Sequence, residues 1–178
     1  MKQSIVISVL GNDSPGLVKA LSKLIVSFEG CWIESRMASL AGQFAGILRV
    51  ELPREQVENF KHALTQAAHA DELGLKVLFE ESAGLPKQNT EKQLKIELIG
   101  QDQPGIVHRI SSALADVHAS VDELHTEVIE ASMSGESLFK ATIRLHIASE
   151  VSSSEIREVL EDLANELIVD IELDDSND

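Results

Sequence analysis

The chain has 178 residues, 43% of them apolar, and a formal net charge of −15. That length and composition suit one globular domain or two small ones, and the negative balance excludes a surface built to neutralise nucleic-acid phosphates or to lie on an anionic membrane. One cysteine, Cys31, excludes an internal disulfide and multi-thiolate metal sites, and it reads as a small buried hydrophobe in a reducing compartment.

The first element is a strand, because Ile5, Ile7 and Val9 alternate with Ser4, Val6 and Ser8. The run G-x-D-x-P-G follows, from Gly11 to Gly16. Glycine permits an unusual turn, aspartate can cap a helix, and proline suits a first helical turn. Leu17, Leu21, Ile25 and Phe28 then lie on one stripe of a helix. Gly30 breaks that pattern. Residues 32–38 read as a strand, Gly42 as a turn, and 44–52 as the hairpin partner, ended by Pro53. Residues 54–69 form an amphipathic helix with Val57, Phe60, Leu64 and Ala67 or Ala68 inward, and 75–79 a last strand. The order is βαββαβ.

The same order recurs at an offset of 89. Gly11, Asp13, Pro15, Gly16 and Val18 return as Gly100, Asp102, Pro104, Gly105 and Val107. Leu17, Leu21, Ile25 and Phe28 return in phase as Ile106, Ile110, Leu114 and Val117. Strands are expected over 119–130 and 138–147, with a turn over 131–137. A helix over 155–167 turns Ile156, Leu160, Leu163 and Leu167 to one side, and a strand over 168–173 closes the unit. The expected fold class is α+β: two ferredoxin-like βαββαβ domains in tandem, each an antiparallel sheet with helices on one face. Domain 1 spans 1–82, a linker 83–92, domain 2 93–173, and a frayed tail 174–178. The uncovered sheet face is solvated or packs on another sheet; apolar residues on both phases of 44–52 favour packing in part. The copies differ in charge. Residues 1–85 carry 8 Lys/Arg and 10 Asp/Glu, whereas 86–178 carry 7 and 20.

A βαββαβ unit with Gly-x-Asp-x-Pro-Gly after its first strand resembles the ACT domain, a small-molecule-sensing module. A chain of this length made of two such units resembles the glycine cleavage system transcriptional repressor family. Gly30-Cys31-Trp32-Ile33-Glu34-Ser35-Arg36 is similar to that family's second strand. The family tends to place Asn before the Ile. Trp32 stands there in this chain, and Ser120 is the expected counterpart in the second copy. The resemblance implies a transcriptional regulator that works through a transcription-factor partner, responds to a small amino acid such as glycine, and makes no direct nucleic-acid contact. It also implies a homodimer. The alternative is a free-standing amino-acid-binding regulatory subunit of a metabolic enzyme.

The expected ligand residues are Asn12, Asp13, Ser14, Pro15, Gly16 and Leu17 in one turn, and Gln101, Asp102, Gln103, Pro104, Gly105 and Ile106 in the other. A helix N-terminus offers free N–H groups and partial positive charge to a carboxylate. Gly16 and Gly105 leave room for close approach to the backbone, and each aspartate can accept from an ammonium group. The competing reading is that Asp13 and Asp102 only cap their helices; one aspartate can do both. Enzyme chemistry is not legible. There is no G-x-S-x-G elbow, Walker loop or G-x-G-x-x-G. His62, His69, His108, His118, His125 and His146 are scattered, though His118 and His125 can share one strand. No catalytic residue, metal or cofactor is expected. Trp32 reads as a sheet-packing aromatic, and Glu155, Glu158, Glu161 and Asp162 as a solvated helix face. No apolar run reaches the roughly 18–20 residues of a membrane span, and the N-terminal segment lacks a cleavage site, so a cytoplasmic location is expected.

Overall fold

The structure, a computed structural model, describes residues 1–69, 73–81, 92–130, 137–148 and 151–175. The chain divides into two compact units, 1–86 and 87–178. In unit 1, β1 (Lys2–Asn12) leads to α1 (Leu17–Ser27), the hairpin β2 (Cys31–Leu40) and β3 (Gln43–Pro53), then α2 (Val57–His69) and β4 (Leu75–Glu81). In unit 2, β5 (Lys92–Gln101), α3 (Ile106–Asp116), β6 (Ser120–Glu130), β7 (Ser137–Ile147), α4 (Ser153–Leu167) and β8 (Val169–Asp175) repeat that order. Each unit has one four-stranded antiparallel sheet, ordered β2-β3-β1-β4 and β6-β7-β5-β8.

The alternation in the first strand of each unit does what period two demands. Ile5, Ile7 and Val9 point into one core, and Leu94, Ile96 and Leu98 into the other. The helices lie over those faces. Leu17, Leu21 and Ile25 of α1 and Val57, Phe60, Leu64 and Ala68 of α2 complete the first core. Ile106, Ile110 and Leu114 with Ile156, Leu160, Leu163 and Leu167 complete the second. Phe60 is fully buried and meets Phe28 edge to face, with ring centroids 5.7 Å apart. Truncating such a ring costs about 3–5 kcal/mol.

Several local expectations are corrected. The segment 54–69 is not one helix: Arg54–Gln56 is a 3-10 turn before α2. Phe28 lies just past α1, as its C-cap, rather than in the helix. The left-handed residue of that turn is Glu29, with φ 57°. Its counterpart His118 has φ 55° and lies outside β6, so His118 and His125 do not share a strand. Ile168 is a left-handed, exposed C-cap, and the last strand begins at Val169 and runs to Asp175. Cys31 is exposed at the start of β2, with Lys2 Nζ 3.6 Å from its sulfur, so it is not a core hydrophobe. The expected linker 83–92, apart from Lys92 in β5, the turn residues 131–136 and the tail residues 176–178 lie outside the described residues.

The uncovered sheet faces differ. In unit 1, Leu10, Ile47 and Leu78 are exposed on neighbouring strands, where Ser8 pairs with Ile47 and Leu78 and Leu10 with Ala45 and Lys76. In unit 2 the positions that match Leu10, Ile47 and Leu78 are Ile99, Thr142 and Glu172, so one of the three stays apolar and the other two are polar or charged.

Gly11 and Gly100 are set by packing. A Cβ on Gly11 would lie 2.4 Å from the Gly74 carbonyl oxygen, and one on Gly100 2.2 Å from Val169 Cγ1. The edge strands β4 and β8 therefore close on the first strands only because these positions carry no side chain. Gly100→Ala is expected to cost about 1–3 kcal/mol in urea denaturation. Val169→Ala in the same chain should recover part of that loss, because the two sites share one clash.

Candidate functional site

The two G-x-D-x-P-G turns have one backbone design. Gly16 and Gly105 are left-handed, with φ 97° and 86°, and each is the N-cap of its helix. Neither cap supplies a side-chain hydrogen bond, and neither helix has an acidic residue in its first turn. This corrects the helix-capping reading of Asp13 and Asp102. The contrast is α4, where the side chain of Ser152 accepts from the N–H groups of Ser154 and Glu155 and Glu155 adds first-turn charge. The first intrahelical bonds are from Ala20 N to Gly16 O, 2.9 Å, and from Arg109 N to Gly105 O, 3.0 Å. The Ile106 N–H donates back to Gln103 O at 3.3 Å, and the other N–H groups ahead of these bonds belong to an uncapped, partly positive terminus. A Cβ built on Gly16 or Gly105 would meet nothing within 4 Å. The space above both turns is open, and positive φ is what requires glycine there.

Both turns are tied to their hairpins by one backbone bond, and their side-chain ties differ. In unit 1, Asp13 N donates to Gly42 O at 2.9 Å. Ser39 Oγ donates to Asp13 Oδ2 at 2.6 Å, and Gln43 Nε2 donates to Asn12 Oδ1 at 2.9 Å. The turn is therefore clamped to the β2–β3 hairpin. In unit 2, Asp102 N donates to Ser137 O at 3.0 Å, and Gln103 Nε2 to Leu167 O at 3.0 Å. Arg109 also pairs with Glu166 at 2.9 Å. This turn is fastened to the end of α4. Ser39 faces Phe44 across the hairpin, and Val128 holds the matching place opposite Phe139. No hydroxyl reaches Asp102 from that position.

Of the expected ligand residues, Asn12, Asp13, Ser14, Pro15 and Gly16 are exposed together, as are Gln101, Asp102, Pro104 and Gly105. Gln103 is half-buried and held by Leu167. Leu17 and Ile106 are buried in the cores, so they offer only backbone to the turn surface. Sequence reasoning missed Ser39, Gln43 and the α4 terminus. Ser39 and Gln43 become visible only once the hairpin register across Gly42 is known.

The second strands correct one equivalence. Pairing slips between Trp32 and Glu34 in β2 and between Val121 and Glu123 in β6. The bulges thus fall at Ile33 and Asp122, again 89 apart. Trp32 therefore matches Val121, and Ser120 matches Cys31.

Away from the turns, a cleft of about 550 Å³ runs beside β5 and β8, lined in part by Lys95, Glu97, Arg157 and Glu172. A hydrogen bond and the positive charge of Lys95 lower the Glu97 pKa against a small opposing effect of burial, and Lys140 adds to the lowering. Neither turn lines this cleft. Among the described residues no cluster of three or more His, Cys, Asp or Glu is placed to hold a metal, and no helix is long and apolar enough to cross a membrane.

The ACT-domain family pattern matches residues 3–80 and again 92–174. The chain belongs to the ACT domain family, as two ACT domains in tandem. It is similar to the crystal structure of an unknown protein from Galdieria sulphuraria, with a TM-score of 0.87 at 28% identity, over 98% of this chain and 99% of that one. It is also similar to the crystal structure of a candidate glycine cleavage system transcriptional repressor, with a TM-score of 0.72 at 17% identity, over 98% and 97% of the two chains. At that identity the second likeness shows a shared fold alone. No curated protein matches the chain.

The left-handed turn has a measurable consequence. Gly16→Ala meets no steric obstacle yet forces a side chain into φ near +97°. The expected loss is about 1–2 kcal/mol in chemical denaturation, with an unchanged denaturant slope.

Proposed function

We propose that this protein is a regulator that senses a small amino acid at its G-x-D-x-P-G turns and passes that state to a protein partner. The observation that carries the reading is the pair of uncapped helix N-termini, each beside an exposed aspartate and under open space. Free N–H groups suit a carboxylate and the aspartate suits an ammonium group, and a free amino acid carries both. Glycine is the ligand of choice, because the likeness to a candidate glycine cleavage system repressor favours it. On this reading the protein represses the glycine cleavage system by binding a transcription factor, without touching DNA. A net charge of −15 supports a protein partner over a phosphate backbone. The partner's docking face is assigned to the acidic second unit, and it would be basic.

Ammonium binding falls chiefly to Asp102, since Asp13 already accepts from Ser39. Calorimetry of the purified protein against the proteinogenic amino acids is expected to show saturable glycine binding. Asp102→Asn should weaken it roughly tenfold or more, the effect of losing a charge-assisted bond, and Asp13→Asn should weaken it less. Absence of heat with every amino acid would sink the sensing role. Affinity capture with and without glycine then tests the partner: a transcription factor supports the repressor reading, and a metabolic enzyme alone would replace it with that of an enzyme's regulatory subunit.

A homodimer completes the proposal, supported by the exposed Leu10, Ile47 and Leu78 on the uncovered face of unit 1. Light scattering at micromolar concentration should give about twice the chain mass of 19.4 kDa. A strictly monomeric mass would remove this part.

A further inference from the structure

The tandem repeat also exposes a difference away from the turns. In unit 2 a pocket of about 220 Å³ opens between α3 and β6. Ile110 and Leu114 of α3 form one wall, Val121 and Leu124 of β6 the other, and Phe139 and Ala141 of β7 part of the floor. Ser111 supplies the polar side chain of the lining, and no charged side chain takes part. Val121 and Leu124 are 45% and 47% exposed, so the pocket leaves aliphatic surface in water.

Unit 1 fills the corresponding place with its own side chains. The bulge register puts Trp32 where unit 2 has Val121, and the same offset puts Met37 where unit 2 has Thr126. Trp32 and Met37 pack against the first core. Val121 and Thr126 are exposed. Unit 1 thus carries, covalently attached, an indole where unit 2 has only a valine. The helix stripe and the central strands on either side are otherwise alike, with Leu21 and Ile25 matched by Ile110 and Leu114, and Phe44 by Phe139.

We infer that the unit 2 pocket is a binding site for a small uncharged aromatic molecule of one or two fused rings, of which indole is the simplest model. The volume suits this class, since an apolar cavity of roughly 150 Å³ takes up benzene and stays dry without it. The chemistry suits it too. A flat ring would cover the exposed faces of Val121 and Leu124 and stand edge or face to Phe139. A charged ligand would find no counter-ion in the lining. None of residues 101–106 lines the pocket, so the inference stands apart from amino-acid binding at the turns.

The test is indole titrated into the full-length protein, followed by calorimetry and by ligand-detected NMR, with three variants alongside. Wild type is expected to bind indole saturably in unit 2. Val121→Trp fills the pocket from within and should weaken indole binding roughly tenfold or more while raising the thermal midpoint by about 2–4 °C. Leu124→Phe fills it from the next inward position of β6 and should weaken binding in the same direction, which keeps the test open if the first variant misfolds. Trp32→Val should open a second site in unit 1, raise the indole stoichiometry from one to two, and lower the thermal midpoint. No saturable indole binding at millimolar concentration, or equal binding by wild type and both filled variants, would overturn the inference.

Discussion

In each unit the first strand is hydrogen-bonded on both sides, and its inward side chains form the floor on which both helices rest. Ile5 and Ile7 in β1, and Ile96 in β5, are fully buried for that reason. Two further features follow from the position of this strand. Its end must turn directly into the first helix, which demands a glycine N-cap at positive φ. Its last inward position must admit the edge strand β4 or β8, which demands a residue without Cβ. The Gly-x-Asp-x-Pro-Gly run is the sequence record of both demands. Its first glycine serves packing, and its last serves the turn.

That origin explains why the turn persists in both copies while its surroundings diverge. The backbone constraint acts on the two glycines and leaves neighbouring side chains free to change. Unit 1 uses the freedom to clamp Asp13 and Asn12 to the hairpin through Ser39 and Gln43. Unit 2 fastens Gln103 to the end of α4 and has Val128 where unit 1 has Ser39. The same freedom operates on the uncovered sheet faces, where Ile47 and Leu78 of unit 1 stand in the places of Thr142 and Glu172 of unit 2. It operates again beside the first helix, where one copy carries Trp32 and the other Val121. Two copies of one fold thus present different surfaces around the turn, on the uncovered sheet face and beside the first helix.

The candidate turns were legible because their constraints are local. Glycine at positive φ, proline near a helix start and a following apolar stripe all act within a few residues. The partners of the turn were not legible, since Ser39 lies 26 residues from Asp13 and Leu167 lies 64 from Gln103. Composition misled for Cys31. A lone cysteine suits a core as a small hydrophobe, but Cys31 is exposed at the start of β2. The aspartate-cap reading failed for a similar reason. Asp is a good N-cap in general, yet the cap position falls three residues later, on glycine.

The sequence by itself determined the repeat, the βαββαβ order and the core stripes, because alternation, helical phase and turn glycines are short-range signals that hold whatever the rest of the chain does. The tertiary structure alone decided which side chains hold each turn, where the second-strand bulges fall, and that Val121 rather than Ser120 stands where the first copy has Trp32. Each of these depends on register between strands far apart in sequence, and a shift of one residue reverses the face to which every side chain points.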